Sequence, residues 1–174
     1  VFKISSTQFK WSIFLGFLNP FLYYLILFKA YDLLPAQVAQ PLNFVWPIIL
    51  VVLSVPILGQ KLKAKNIIAL VISFLGVVVI SSQGNIEIFS KSNPFGVFLA
   101  LISSTIWALF WLYNVRDKER DEVSKLFLNF CFATVFSLII GAFTKDFWSI
   151  PIKGVLASAY IGAFEMGITF VLWL

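Results

Sequence analysis

The sequence contains no histidine and a single cysteine, Cys131, in 174 residues. The first absence removes the commonest metal ligand and the commonest general base. The second removes any disulfide framework within the chain. Charge is scarce as well. Asp, Glu, Lys and Arg make up 12 % of the residues, against 60 % apolar ones. A soluble domain carries roughly 25 % charged and about 45–50 % apolar residues, so water cannot cover most of this surface and lipid is expected to. The net charge of +5 does not point to nucleic acid, because the basic residues sit in short gaps between apolar runs and build no continuous face. No Gly-x-x-x-x-Gly-Lys loop is present, which excludes a P-loop ATPase in this chain. No nucleophile has a histidine to activate it. Neither a cofactor nor a metal site is expected.

What is present is a series of long apolar runs. A membrane helix needs about 20 mostly apolar residues to cross roughly 30 Å of hydrocarbon. Six stretches meet or approach this, at 11–33, 36–59, 66–83, 95–115, 125–144 and 154–174. They lack the period of two that a porin-like barrel requires. The fold class is therefore an all-α integral membrane bundle of about six transmembrane helices. Its connectors are LLPAQ, QKLKAK, SSQGNIEIFSKSNP, RDKERDEVSK and TKDFWSIPIKG, with Pro35 and Pro94 near helix starts, where a missing N–H is tolerated. The chain opens at Val1 and stops at Leu174 inside an apolar run, so a longer parent protein is expected. Placing the N-terminus inside puts Lys3, Lys10, Lys61, Lys63, Lys65, Arg116, Lys118, Arg120 and Lys125 in the cytoplasm, leaving Lys29, Lys91, Lys145 and Lys153 outside. That asymmetry fixes the expected orientation, in a bacterial plasma membrane.

GFLNPFLYYLIL, from Gly16, aligns with GAFEMGITFVLW, from Gly162, and sets Asn19 opposite Glu165. The first segment lies on an outward-running span and the second on an inward-running one. Similar segments of opposite direction five spans apart are the mark of an inverted repeat, as in secondary transporters. The stretch from Phe28 to Ile80, with Ala30, Pro47, Leu58, Gly59 and Gly76 at the matching places, resembles the end of an EamA-type repeat of the drug/metabolite transporter superfamily. Gln60 stands where that family has Glu. The resemblance implies a ten-helix, five-plus-five fold, of which this chain holds the third to the eighth helices. Residues 1–83 would be the C-terminal part of the first repeat, 84–94 an outside linker, and 95–174 the N-terminal part of the second. The implied activity is a transporter and not an enzyme, exporting amino acids, related metabolites or drug-like compounds.

The candidate site residues are Glu165, Asn19, Gln40, Asn43 and Trp107. Glu165 lies 11 residues after Gly154, or about 16 Å down a helix at 1.5 Å per residue, which is near the bilayer midplane. A charge there costs at least about 2.5–3.5 kcal/mol. It must face a wet cavity, pair with a cation or stay protonated. A carboxyl that takes up and releases a proton can exchange it for a substrate's ammonium group; otherwise it hydrogen-bonds a neighbouring helix. Asn19-Pro20 predicts a kink or break, with freed backbone groups beside a side-chain amide. Gln37, Gln40 and Asn43 recur every three residues and are expected to point into the bundle, either to line a cavity or to pack helices. Trp107 and Trp111 are i, i+4 neighbours; Trp107 is assigned to the cavity and Trp111 to the interfacial aromatic belt. Ser103, Ser104 and Thr105 are expected to bond back to their own helix. The small residues Ser158, Gly162, Ala159, Ala163 and Gly167 read as a close helix contact. The expected partners are a small-molecule solute, the bilayer and, as coupling ion, protons. An intramembrane enzyme acting on lipid-linked substrates and a non-catalytic assembly subunit are the alternatives.

Overall fold

The computed structural model describes residues 5–82, 87, 91–118, 121–144 and 149–173. Lys3, Arg120 and Lys145 of the charge count, residues 83–86 and 88–90 around the expected linker, residues 145–148 of TKDFWSIPIKG, and Leu174 lie outside these. Among the described residues, six long helical stretches follow one another: α1 (Ser6–Leu33), α2 (Ala36–Leu58), α3 (Ala64–Ser82), α4 (Pro94–Arg116), α5 (Glu122–Ala142) and α6 (residues 152–173). α1, α2, α4 and α5 are long and apolar enough to cross a membrane. α3 has 19 residues, of which Ala64–Val79 form an apolar stretch, and α6 runs as three consecutive pieces.

Local sequence explains where the helices begin and break. Ser5 and Gln8 form a reciprocal capping box at the start of α1, satisfying two of its orphan N–H groups. Asn93 accepts from the backbone N–H groups of Phe95 and Gly96 ahead of α4, with Pro94 in the first turn. Asp121 caps α5 through Ser124. Those two bonds, to the Ser124 N–H and hydroxyl, hold the Asp121 carboxyl below its ordinary range. Pro20 does break α1: Asn19 takes an extended conformation, φ −148° and ψ 130°, inside a π-helical stretch at Phe17–Leu22, and the Asn19-Pro20 bond is cis. α2 is interrupted at Phe44 and Val45 before Pro47 restarts it, since a proline N cannot bond the carbonyl one turn back. α6 carries a second π stretch, Ile161–Ile168. There the Thr169 hydroxyl donates to the Phe164 carbonyl, five residues earlier, at 2.8 Å.

Packing centres on α1 and α4. Leu15, Leu18, Tyr23, Leu27, Ile106, Phe110, Trp111, Leu126 and Phe170 make the main core. A second cluster of Ala30, Leu34, Val38, Ala39 and Ala100 joins the far ends of α1 and α4 to the start of α2. α5 lies along the other side of α1, with Phe9 on Phe132 and Phe17 on Phe136 at 5.1 and 5.6 Å between ring centroids. Gly16 makes that contact possible, because a Cβ there would run into the Asn129 carbonyl. Outside this core the large side chains are turned outward. Phe143 is 88 % exposed, Leu172 80 % and Val79 69 %. In water such a surface would aggregate; against acyl chains it is the expected skin of a bundle.

Candidate functional site

Four helices bring aromatic rings around one hollow. Tyr23 comes from α1, Trp107 and Trp111 from α4, and Phe170 from α6, with Phe44 and Trp46 added by the broken middle of α2. The cavity they line holds about 340 Å³, within the usual range for a small-molecule site. Trp107 is its hub, with centroids 4.6 Å from Tyr23, 6.3 Å from Trp46, 6.3 Å from Trp111 and 5.9 Å from Phe170. A wall of faces and edges at varied tilts suits a flat apolar group or a cation held by ring quadrupoles. The interfacial place assigned to Trp111 is corrected: it is 9 % exposed, belongs to the core and lines the cavity. Four residues return nearly to the same helix face, so Trp111 follows Trp107 inward although the helix ends only five residues later.

One edge of this wall is polar. The Tyr23 hydroxyl donates to Asn43 Oδ1 at 3.1 Å, Asn43 Nδ2 donates to Ser103 Oγ at 3.0 Å, and the Ser103 hydroxyl donates to the Ala100 carbonyl at 2.7 Å. Each member accepts from the one before and donates to the next, which ties α1, α2 and α4 together at one level. Ser104 and Thr105 bond back to the Leu101 carbonyl, as their positions predict. Trp107 Nε1 is buried and has no partner among the described residues. A buried N–H without a partner is costly, and this one lies in the wall of the cavity.

The other candidates divide. Gln40 does not join Asn43. It is exposed, as is Gln37, while Asn43 is buried. At about 100° per residue, three-residue steps drift by about 60° each, so Gln37 and Asn43 stand about 120° apart; the expected common inward face is corrected to Asn43 alone. Asn19 is 1 % exposed, and neither its amide nitrogen nor its oxygen has a partner among the described residues. It lines neither hollow. Glu165 sits in a separate, larger groove of about 880 Å³ between α1, α5 and α6, with Pro20, Tyr24, Ser137, Thr144 and Ser158, and is itself exposed. Tyr24 and Met166 stand beside it, hydroxyl to sulfur at 3.8 Å. The small residues of α6 meet no helix: Ser158, Ala159, Gly162 and Ala163 are exposed, and a Cβ on Gly162 would find nothing within 4 Å. The expected close contact there is therefore corrected for the described residues.

A second polar assembly was missed from sequence. Lys125, on α5, has a fully buried side chain. Its Nζ lies 2.8 Å from Glu122 and donates to the carbonyls of Asn114 and Asp117 at 2.9 and 2.6 Å. It thus caps the end of α4, where a cation meets the negative end of the helix dipole. Asn129 Nδ2 donates to Asn114 Oδ1 at 3.2 Å, and Asn114 Nδ2 to the Phe110 carbonyl at 2.8 Å. The spacing of Lys125 and Asn129, i and i+4 on an otherwise apolar face, is the signal that would have found it.

Comparison with known proteins adds the family. The EamA-like transporter family matches residues 1–82 and 94–174. The chain is 32 % identical over 148 residues to an uncharacterized transporter, YvbV, of Bacillus subtilis (strain 168), covering 81 % of this chain and 48 % of that one. It is 29 % identical over 148 residues to an uncharacterized transporter in the sor 3′ region of Acidianus ambivalens, covering 84 % and 56 %. It is 24 % identical over 156 residues to the aromatic amino acid exporter YddG of Ancylobacter novellus, covering 87 % and 53 %. The chain spans about half the length of the curated relatives it matches. No solved structure matches it. Two family matches, one on either side of residues 83–93, meet a bundle whose apolar surface faces outward, and the chain is accordingly a multi-pass membrane protein that belongs to the EamA-like transporter family.

Proposed function

We propose that this chain forms the central part of a secondary transporter that exports small organic metabolites, amino acids or related compounds, by alternating access between two inverted five-helix units. The observation that carries the reading is the aromatic cavity between α1, α2, α4 and α6, polar along one edge through Tyr23, Asn43 and Ser103 and with the Trp107 N–H unpaired. That combination binds an amphipathic solute: rings hold its apolar part, and a few placed polar groups orient it. The relative whose name states a cargo, an aromatic amino acid exporter, agrees with a wall of this kind. Support for inverted units comes from the two π stretches. They fall on the segments that align in sequence, one containing Asn19 and the other Glu165, and local π turns recur at functional sites.

Glu165 is the proposed coupling group. It is the one acid in the membrane-spanning part of α6, and it opens into a groove and not into the aromatic cavity. Proton exchange at Glu165 would therefore act on the cavity through Met166 and Phe170, its neighbours along α6. The test uses the full-length protein in liposomes, loaded with labelled amino acids, with and without a pH gradient. Gradient-driven flux that disappears in Glu165→Gln, with insertion intact, is the expected result. Unchanged proton dependence in that variant removes Glu165 from the mechanism. A lipid product without solute flux would favour an intramembrane enzyme, and neither would favour an assembly subunit.

A further inference from the structure

The Glu165 groove holds a hydroxyl with no part in the transport reading. Tyr24 lines the groove from α1, and its hydroxyl lies 3.8 Å from the sulfur of Met166, the residue that follows Glu165 on α6. A thioether is a weak acceptor, so this bond is readily exchanged for a better one. Glu165 is exposed in the groove and makes no hydrogen bond or ion pair among the described residues. A carboxylate ionised at this depth needs a donor.

Among the described residues that line the groove with Glu165, Tyr24 is the one titratable side chain and none carries a charge. Three other hydroxyls share it. Thr144 donates to the Gly141 carbonyl at 2.8 Å. Ser158 stands seven residues before Glu165, about 10 Å along the helix. Ser137, on α5, is an aliphatic alcohol and a weaker donor than a phenol. Tyr24 also reaches the other hollow. Its ring meets that of Tyr23 edge-on, with centroids 4.8 Å apart and planes at 70°. Tyr23 in turn lies 4.6 Å from Trp107 and donates to Asn43. Neighbours on a helix point about 100° apart, so these consecutive tyrosines face one hollow each, Tyr23 the aromatic cavity and Tyr24 the groove.

We propose that Tyr24 is a positioning residue that reads the protonation of Glu165. Its hydroxyl donates to the ionised carboxylate and moves to the Met166 sulfur when the carboxyl takes up a proton. The arrangement seen here, hydroxyl on sulfur, is then the protonated one. Rings in close contact cannot shift independently, so a movement of Tyr24 is felt at Tyr23 and at the wall around Trp107. The proposal rests on the transporter reading with Glu165 as coupling group, and it adds a route along α1 to the one along α6.

The test is infrared titration of the full-length protein in lipid nanodiscs. It follows the carboxyl stretch of protonated Glu165, assigned by its loss in Glu165→Gln. Removing a donor to the ionised form favours proton uptake. Tyr24→Phe, which keeps the ring, is therefore expected to raise the midpoint by about one pH unit, a tenfold gain in proton affinity and the size of one hydrogen bond to a charged group. Removing the acceptor used by the protonated form acts the other way. Met166→Leu is expected to lower the midpoint, by about threefold in affinity, since the thioether is the weaker acceptor. A general loss of packing gives no reason for opposite signs. A midpoint unchanged in Tyr24→Phe, shifts of one sign in both variants, or a carboxyl that stays protonated at every pH at which the protein is folded would each overturn the proposal. Gradient-driven flux that is lost in Glu165→Gln, beside a midpoint that ignores Tyr24, sinks the switch alone. Opposed midpoint shifts without any gradient-driven flux uphold the switch and sink the coupling reading instead.

Discussion

Replacing Asn43 with alanine removes both links that this side chain makes across the bundle: the 3.1 Å bond from the Tyr23 hydroxyl and the 3.0 Å bond to Ser103 Oγ. Interhelical hydrogen bonds in membrane proteins contribute about 0.6 kcal/mol on average and up to about 1.7 kcal/mol. Two of them set the expected loss at roughly 1–3 kcal/mol. Tyr23→Phe removes one bond and keeps the ring that stacks on Trp107, so roughly 0.5–1.7 kcal/mol is expected. Because the two residues share a bond, their double variant should be less destabilised than the sum. The predicted coupling is about 0.6–1.7 kcal/mol, or about threefold to twentyfold in the unfolding constant. Equilibrium unfolding of the full-length protein in mixed detergent micelles, run as a double-mutant cycle, measures it. Coupling below about 0.3 kcal/mol, the scatter expected of independent sites, would refute a polar chain tying α1 to α2. Cargo affinity in Tyr23→Phe then isolates the hydroxyl from the aromatic wall, since the ring remains.

Other perturbations follow from the same geometry. Lys125→Met should destabilise by roughly 1.5–3 kcal/mol, because two carbonyls at the end of α4 lose a charged donor; mixed-micelle unfolding reads this, and a change under about 0.5 kcal/mol would contradict the capping role. Gly16→Val should force α1 away from α5 at Asn129 and Phe132, with a loss of roughly 1–3 kcal/mol, checked by a cross-link between cysteines placed at Phe9 and Phe132 that forms less readily. The Asp121 carboxyl is held below its ordinary value of 3.8 by Ser124. Its contribution is therefore complete above that pH and disappears as pH falls through the lowered value. Amide exchange in the first turn of α5 should be faster in Asp121→Ala than in the parent at neutral pH, and the two should converge in strong acid. Trp107→Ala should weaken cargo binding more than Trp46→Ala, since Trp107 touches four rings of the wall and Trp46 touches one of them; equal losses would deny Trp107 its central place.

Much of the architecture could be read from residue order. Pro20 announced the break in α1 because a proline cannot donate to the ladder, and Pro94 and Asn93 announced the start of α4. Asn43 and Trp107 are legible as candidates because an amide and an indole placed deep in hydrocarbon need a reason to be there, and both line the aromatic cavity. The interfacial place for Trp111 fails because four residues along a helix return nearly to the same face, so Trp111 follows Trp107 inward. Gln40 was misplaced because a three-residue spacing was taken for a common face. Tyr23 and Phe170 are not legible as cavity residues, since nothing local separates an aromatic that lines a cavity from one that meets lipid. Lys125 reads in sequence as a loop cation, and only the placement of the start of α5 beside the end of α4 turns it into a buried cap.

Sequence by itself determined that the chain is immersed in lipid, that its elements are helices, and where several of them must begin or break. Those outcomes depend on the local balance of apolar length, backbone donors and charge, which neighbouring residues carry. The tertiary structure alone decided that Asn43, Tyr23 and Trp107 share one cavity while Glu165 opens into another. Which faces of α1, α2, α4 and α6 meet is fixed by close packing between segments distant in the chain, at contacts such as Gly16 against Asn129, and no local pattern encodes that choice.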